Sequence, residues 1–228
     1  MKKRTEVTRD GRSAELWELE RGGLKLRAVF KDIEETASSQ PDAWRRYQHE
    51  YAAYWLDRKI GLGFVPVVVI RSHDGDTGAL RSVLETAVDL VSLKDYLNLE
   101  DATKDEIVEA VAEHYGKNLS GLREQVLSAR AFEALVGNQH QQDYAKLFIP
   151  AEGRVALVDH ERAFGASSEI PADLLATYCP IPADIALALQ CLSKEEVESG
   201  LSDYLSDAQI EALLERRDHV LSSCSNPH

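Results

Sequence analysis

The chain changes its hydrophobic period early, and that change limits what it can become. Residues 14–20, AELWELE, and 24–33, LKLRAVFKDI, alternate apolar and polar side chains on either side of Gly22 and Gly23. A period of two around a two-glycine connection predicts a β-hairpin. TEVTRDGRS before it predicts a further strand ending in a turn at Asp10-Gly11. From residue 38 the spacing becomes threes and fours. In SSQPDAWRRYQHEYAAYWLDRKIGLG, residues Trp44, Tyr47, Tyr51, Tyr54 and Trp55 form an apolar stripe. Pro41 suits the first turn of such a helix, and Gly61 and Gly63 stop it.

The β pattern then returns twice. FVPVVVIRS predicts a short buried strand, HDGDTG a turn, and ALRSVLETAVDL another strand. From Val91 the periodicity is helical through SLKDYLNL, TKDEIVEAVAEHY and LSGLREQVLSARAFEALVG. YAKLFIP, a turn at Glu152-Gly153 and RVALVDH interrupt it as a hairpin. Two N-terminal capping patterns follow, Ser193 with Glu196 and Ser206 with Gln209. This order predicts an α+β chain of two lobes. Residues 1–88 form a β-rich lobe with one helix, and residues 89–228 a mainly helical lobe holding the inserted hairpin. A cleft between such lobes is a natural place for a ligand.

Composition excludes some partners. The 228 residues can bury a real core, and 26 Lys+Arg stand against 39 Asp+Glu, a formal charge of -13. A body this acidic repels nucleic acid and anionic lipid. A nucleotide is still admissible, because local cations can hold phosphates inside an acidic protein. No apolar run reaches membrane-spanning length and the opening twenty residues hold no apolar segment, so no membrane insertion is expected. The expected location is cytoplasmic, with secretion lacking a cleaved signal left open. Cys179, Cys191 and Cys224 are odd in number without CxxC spacing. They predict reduced thiols, with neither a disulfide framework nor a zinc site.

Four features in chain order suggest phosphoryl transfer: a strand lysine, a helix glutamate, a polar loop, and an aspartate closing a strand. Lys31 would neutralise phosphates, Glu50 would orient Lys31, and Asp159 would hold a divalent cation. Glu161 and Asp143 are further metal candidates. Each has a plainer alternative. Lys31 reads equally as a solvated strand-end lysine, Glu50 as an exposed helix residue beside the aromatic stripe, and Asp159 as a turn former. The loop GNQHQQDYAKLF, with Asn138, His140 and Asp143, reads as an acceptor-handling loop, a solvated loop, or one that has lost its catalyst.

EYAAYWLDRKIGLGFVPVVVIR, ALVGN and VALVDHERAFG together resemble an atypical kinase-like group. It includes bacterial phosphatidylinositol 3- and 4-kinase-related proteins, HipA toxins and the casein-phosphorylating kinases of the secretory pathway. The similarity runs from about Leu24 to LSDAQIEALLERRDHVL. It implies a two-lobed protein-kinase-like fold, ATP with Mg²⁺ or Mn²⁺, and a protein or small-molecule acceptor. It also implies Lys31 at the phosphates, Glu50 as its partner, Asp159 on the metal and Leu84 to Val88 at the adenine. The group's Gly-rich loop is reduced here to RDGRSAE, leaving Gly11 and Ser13 as its candidates. The group's catalytic loop reads like GNxDRHxxN. Gly137 and Asn138 match, His140 stands at the aspartate, and Ala145 at the metal-binding asparagine. A one-residue shift lets Asp143 serve instead. HQQDYAKLF also resembles the HxDLYAKH loop of lipopolysaccharide-kinase-like proteins, with Gln142 replacing the aspartate. General-base help is worth about 10²–10⁴-fold, so its loss leaves a nucleotide site intact. The expected function is an ATP-dependent phosphotransferase. The alternatives are a pseudokinase that regulates a partner, or a related transfer such as AMPylation.

Overall fold

The computed structural model describes residues 2–9, 12–32, 34–36, 44–89, 93, 96–97, 103–138, 147–149, 151–170 and 179–225. A five-stranded antiparallel sheet comprises β1 (Lys2–Arg9), β2 (Arg12–Arg21), β3 (Leu24–Lys31), β6 (Val68–His73) and β7 (Asp76–Ser82), in the order β1-β2-β3-β7-β6. The short strands β4 (Glu34–Thr36) and β5 (Trp44–Arg46) pair with each other just before α1 (Tyr47–Ile60). A three-stranded sheet joins β8 (Val88–Asp89), β9 (Leu147–Ile149) and β10 (Arg154–Ala156). The helical part contains α2 (Lys104–His114), α3 (Leu119–Val136), α4 (Ala183–Cys191), α5 (Lys194–Leu201) and α6 (Asp207–Ser225). The chain is thus a small antiparallel lobe followed by a mainly helical part, an α+β arrangement of the two-lobed kind. Among the described residues no helix is long and apolar enough to cross a membrane.

Local chemistry accounts for most of these elements. The β6–β7 hairpin turns through Asp74 and Gly75, both at positive φ (53° and 101°). A two-residue turn of that hand matches the natural twist of the strands it joins. Ser193 and Glu196 form a reciprocal capping box at the start of α5, and Ser206 and Gln209 do the same ahead of α6. Gly200 in α5 lies under Trp55. A Cβ there would come within 2.2 Å of the indole, so only glycine lets the two helices approach this closely.

The five-stranded sheet has two unlike faces. Trp17, Ala28, Phe30 and Leu80 form a small cluster on one of them. On the other, Val68 and Ala79 belong to the main core with Ala52, Ala53 and Leu56 of α1 and Phe132 and Leu135 of α3. That core continues from the sheet through α1 into the helical part.

Four expectations need correction. The helix was expected from residue 38, with Pro41 in its first turn. It starts at Tyr47, because Trp44–Arg46 is committed to a strand ladder and the Arg46 amide donates to the Glu161 carbonyl at 2.9 Å. Its most buried face is not the aromatic stripe but Ala52, Ala53, Leu56 and Ile60, with Tyr51 and Tyr54 only half-buried beside them. The strand expected to end in Asp159 ends at Ala156, after which the Leu157 amide leaves the ladder to donate to Phe64. Finally, Cys179 is disulfide-bonded to Cys224, 45 residues away, leaving Cys191 free and exposed. An odd cysteine count does not preclude one long-range pair, so it gives no argument for a reducing compartment.

Candidate functional site

Strand parity decides where Lys31 points. Leu24, Leu26, Ala28 and Phe30 share one face of β3, so Lys31 falls with Val29 on the other, towards α1. Its side chain is 12% exposed and therefore not the solvated lysine of the plainer reading. Nζ donates to Glu50 Oε1 at 2.8 Å, to Asp159 Oδ1 at 2.7 Å and to Glu161 Oε2 at 3.1 Å. Glu50 lies on the buried side of α1, at 1% exposure, and not on its solvated face.

Burial works against the Lys31 charge. The pull of Glu50, then Asp159, then Glu161 outweighs it and holds the ammonium well above its ordinary range. Burial likewise opposes the Glu50 carboxylate, but Lys31 and then Arg81 outweigh it and hold that group below the usual range. Arg81, on β7, brings Nη2 to 3.7 Å from Asp159 Oδ1.

Asp159 sits at φ 65° and Phe164 at φ 59°, conformations that side-chain-bearing residues rarely adopt. Packing over-determines Phe164, which is fully buried, whereas Asp159 is tied by its hydrogen bond from Lys31. The Phe164 amide donates to Val136 at 2.6 Å, and its carbonyl accepts from Gln209 Nε2 at 2.6 Å. Between them His160 is fully buried, its Nε2 3.3 Å from Glu133 Oε1, an ion-pair separation without hydrogen-bond alignment. Burial opposes a charge on His160, but Glu133 outweighs it and raises its pKa.

Asn138 is 1% exposed just beyond α3, and neither side-chain polar atom has a hydrogen-bond partner among the described residues. Ser13 is in β2, paired with Thr8 of β1. Leu84 to Val88 connects β7 to β8. Gly11, His140 and Asp143 lie outside the described residues.

Similarity to a solved structure extends over nearly the whole chain. It is that of the Helicobacter pylori proinflammatory kinase CtkA, with a TM-score of 0.60 and 14% identity, covering 96% of this chain and 91% of that one. The fold is kinase-like. No protein-family model matches the chain, and no curated protein matches it.

In this kinase-like fold, β3, α1 and the segment after β10 converge on one ammonium group. Glu50, Asp159 and Glu161 each offer a carboxylate oxygen, all within 4.8 Å of one another. Hard oxygen donors of this kind suit Mg²⁺ or Mn²⁺. Glu50 Oε2 is buried without a hydrogen-bond partner among the described residues, a lone acceptor that a cation would satisfy.

Sequence reasoning missed four residues around this group. Arg81 carries no motif. His49, Gln209 and Arg216 act through backbone carbonyls, and only the folded chain brings those within reach. His49 is 1% exposed, and its partners settle the tautomer. Nδ1–H donates to the Glu161 carbonyl at 3.1 Å, and Nε2 accepts from Gln209 Nε2 at 3.2 Å. Protonation would set two donors against each other. Burial is the main reason its pKa falls from 6.5 to about 4. Between those values the unfolded chain binds a proton that the folded chain refuses, so stability falls as pH drops through that window. The loss is at most about 3 kcal/mol. Denaturant melts near pH 7 and near pH 4.5 are expected to show a larger fall for the natural protein than for His49→Gln. Equal falls would refute the neutral, locked imidazole.

Proposed function

We propose that the protein is an ATP-dependent phosphotransferase using a divalent cation, with a protein or small-molecule acceptor. The supporting observation is the junction at Lys31, where a strand lysine meets a helix glutamate and the aspartate after β10. A kinase-like fold supplies the frame for that reading. Residues 1–88 would hold the nucleotide, and residues 89–228 the acceptor. Asp159, with Glu161 and Glu50, would hold Mg²⁺ or Mn²⁺, which when bound neutralises charge on the transferring phosphoryl group. Lys31 would hold the phosphates and Glu50 would hold Lys31. Asn138, His140 and Asp143 would face the acceptor, while Gly11 and Ser13 would cover the phosphates.

The test is label transfer from γ-labelled ATP with Mg²⁺ and with Mn²⁺, including transfer onto the protein itself. Asp159→Asn is expected to lower turnover on the order of 10³-fold, because several kcal/mol of charge stabilisation depend on the cation it would hold. Turnover that survives Asp159→Asn would sink the proposal. A second reading, a nucleotide-binding pseudokinase, is favoured by one observation: His140 occupies the loop position of the expected aspartate. Thermal stabilisation by ATP without turnover would select it. Label arriving from the α position would select AMP transfer.

A further inference from the structure

We propose that Arg81 is a second phosphate-binding cation, reaching the nucleotide beside Lys31. This rests on the nucleotide reading above and adds a residue outside the motifs of the resemblance.

Strand register sets Arg81 beside Lys31. Val29 of β3 lies directly opposite Arg81 of β7, and Lys31 lies opposite Ala79. Directly opposed residues share a face, and so do residues two apart on one strand. Lys31 and Arg81 are therefore diagonal neighbours on the sheet face that looks towards α1 and Asp159. Val68 of β6 lies opposite Arg81 on the same face and belongs to the core. The arginine stem is packed, and its side chain is 14% exposed.

The head group is incompletely satisfied. Its approach to Asp159 Oδ1, at 3.7 Å, is an ion pair too long for a hydrogen bond. Nε is buried and has no hydrogen-bond partner among the described residues. A buried guanidinium N–H without an acceptor is costly, and a guanidinium is the side chain best shaped to grip two phosphate oxygens at once.

Charge points the same way. The described ion pairs set Lys31 and Arg81 against Glu50, Asp159 and Glu161, two permanent positive charges against three carboxylates. One divalent cation turns that deficit into a surplus suited to a polyphosphate. The sequence also offers little else for the purpose, since the Gly-rich covering loop is reduced to RDGRSAE. A second fixed cation would do part of that work.

The test is a titration series with adenosine, ADP and ATP in the presence of Mg²⁺ or Mn²⁺, following binding to the natural protein, Arg81→Gln and Arg81→Lys. Arg81→Gln is expected to weaken ATP binding by about 10- to 100-fold, ADP by less, and adenosine not at all. Arg81→Lys should lie between, because it keeps the charge and loses the fork. ATP affinity within about twofold of natural in Arg81→Gln would overturn the assignment, as would equal losses for adenosine and ATP, the mark of a purely structural role. If Arg81→Gln does not fold, Arg81→Lys decides. A loss that grows with phosphate number supports the proposal, and a loss independent of it refutes it. A natural protein that binds no ATP would overturn the nucleotide reading as well, whereas tight natural binding with an unaffected variant overturns Arg81 alone.

Discussion

Lys31→Met is expected to cost about 3–5 kcal/mol of stability at neutral pH, with part of that loss returning on acidification. The substitution leaves Glu50, Asp159 and Glu161 with their oxygens within 4.8 Å and the central cation gone. Arg81 still faces them, with Nη2 3.7 Å from Asp159 Oδ1, too far for a hydrogen bond. Two of the three carboxylates are buried, so water cannot stand in for the lysine. The sign of the pH effect separates this from simple loss of packing. In the natural protein Glu50 is held below its ordinary value, so its contribution is present above the unfolded value and is lost as pH falls through the folded one. In Lys31→Met the burial that opposes the Glu50 carboxylate loses its main offset, which pushes the Glu50 pKa up relative to the natural protein. Protonation of Glu50 then relieves part of the loss as pH falls. The stability deficit of the variant relative to the natural protein should therefore shrink as pH falls from about 6 to 4, since the His49 contribution is common to both. Added Mg²⁺ or Mn²⁺ should stabilise the variant more than the natural protein, and under the function proposed above label transfer from ATP should fall on the order of 10³-fold. Parallel curves with a difference under about 1 kcal/mol would contradict the carboxylate cage.

The second large effect is expected at Arg216, far from the ammonium junction in sequence. This α6 residue is 1% exposed. It donates from Nε to the Leu135 carbonyl at 2.9 Å and from Nη1 to the carbonyls of Gly165, at 3.3 Å, and Ser167. Burial pushes its pKa down to about 10, so it stays charged at neutral pH. The last turn of α3 is the negative end of that helix, which compensates part of the desolvation. Replacing a buried ion pair with apolar groups can be harmless, but here the partners are backbone carbonyls that remain behind unpaired. Arg216→Met is therefore expected to cost about 3–5 kcal/mol, and Arg216→Lys to recover little of it, since an ammonium cannot span three diverging acceptors. Urea denaturation measures both. A cost under about 1 kcal/mol for Arg216→Met would show that water replaces the guanidinium. The same contact explains the glycine of ALVGN. Gly137 is at φ 63°, and a Cβ on it would lie 3.0 Å from the guanidinium carbon.

Arg216 and Gln209 lie two turns apart on α6 and grip one segment, at Gly165–Ser167 and at Phe164. That segment starts at Asp159. Gln209 also meets His49, one residue before Glu50. The C-terminal helix thus braces the two segments whose carboxylates hold Lys31, which makes α6 part of the site's support.

The legible part of the molecule was its local part. Alternation around Gly22-Gly23, the two capping boxes, the Glu152-Gly153 turn and the helices after residue 103 depend on neighbours two to four residues apart, and such spacings are written directly in the chain. The candidate site was legible only as an order of residue types along the chain, made sharper by a family resemblance. Nothing within four residues of Glu50 says that it is buried, because that depends on how α1 packs under the sheet and on the Lys31 it meets there. Nor does the motif around Phe64 say that Leu157 will leave its strand to reach it.

The sequence by itself determined the strands of the main sheet and most of the helices, the two-part order of β then α, and the types of residue available for chemistry; the β4–β5 pair it did not show. The tertiary structure decided which way Lys31 faces and that its partners lie 19, 128 and 130 residues away. It also decided that Arg81 stands beside Lys31, that Cys179 finds Cys224, and that α6 holds the segment after Asp159. The physical reason is separation along the chain. Hydrogen bonds over one helical turn or one hairpin are set by local backbone geometry, whereas a buried charge is stabilised only by partners that distant segments bring to it.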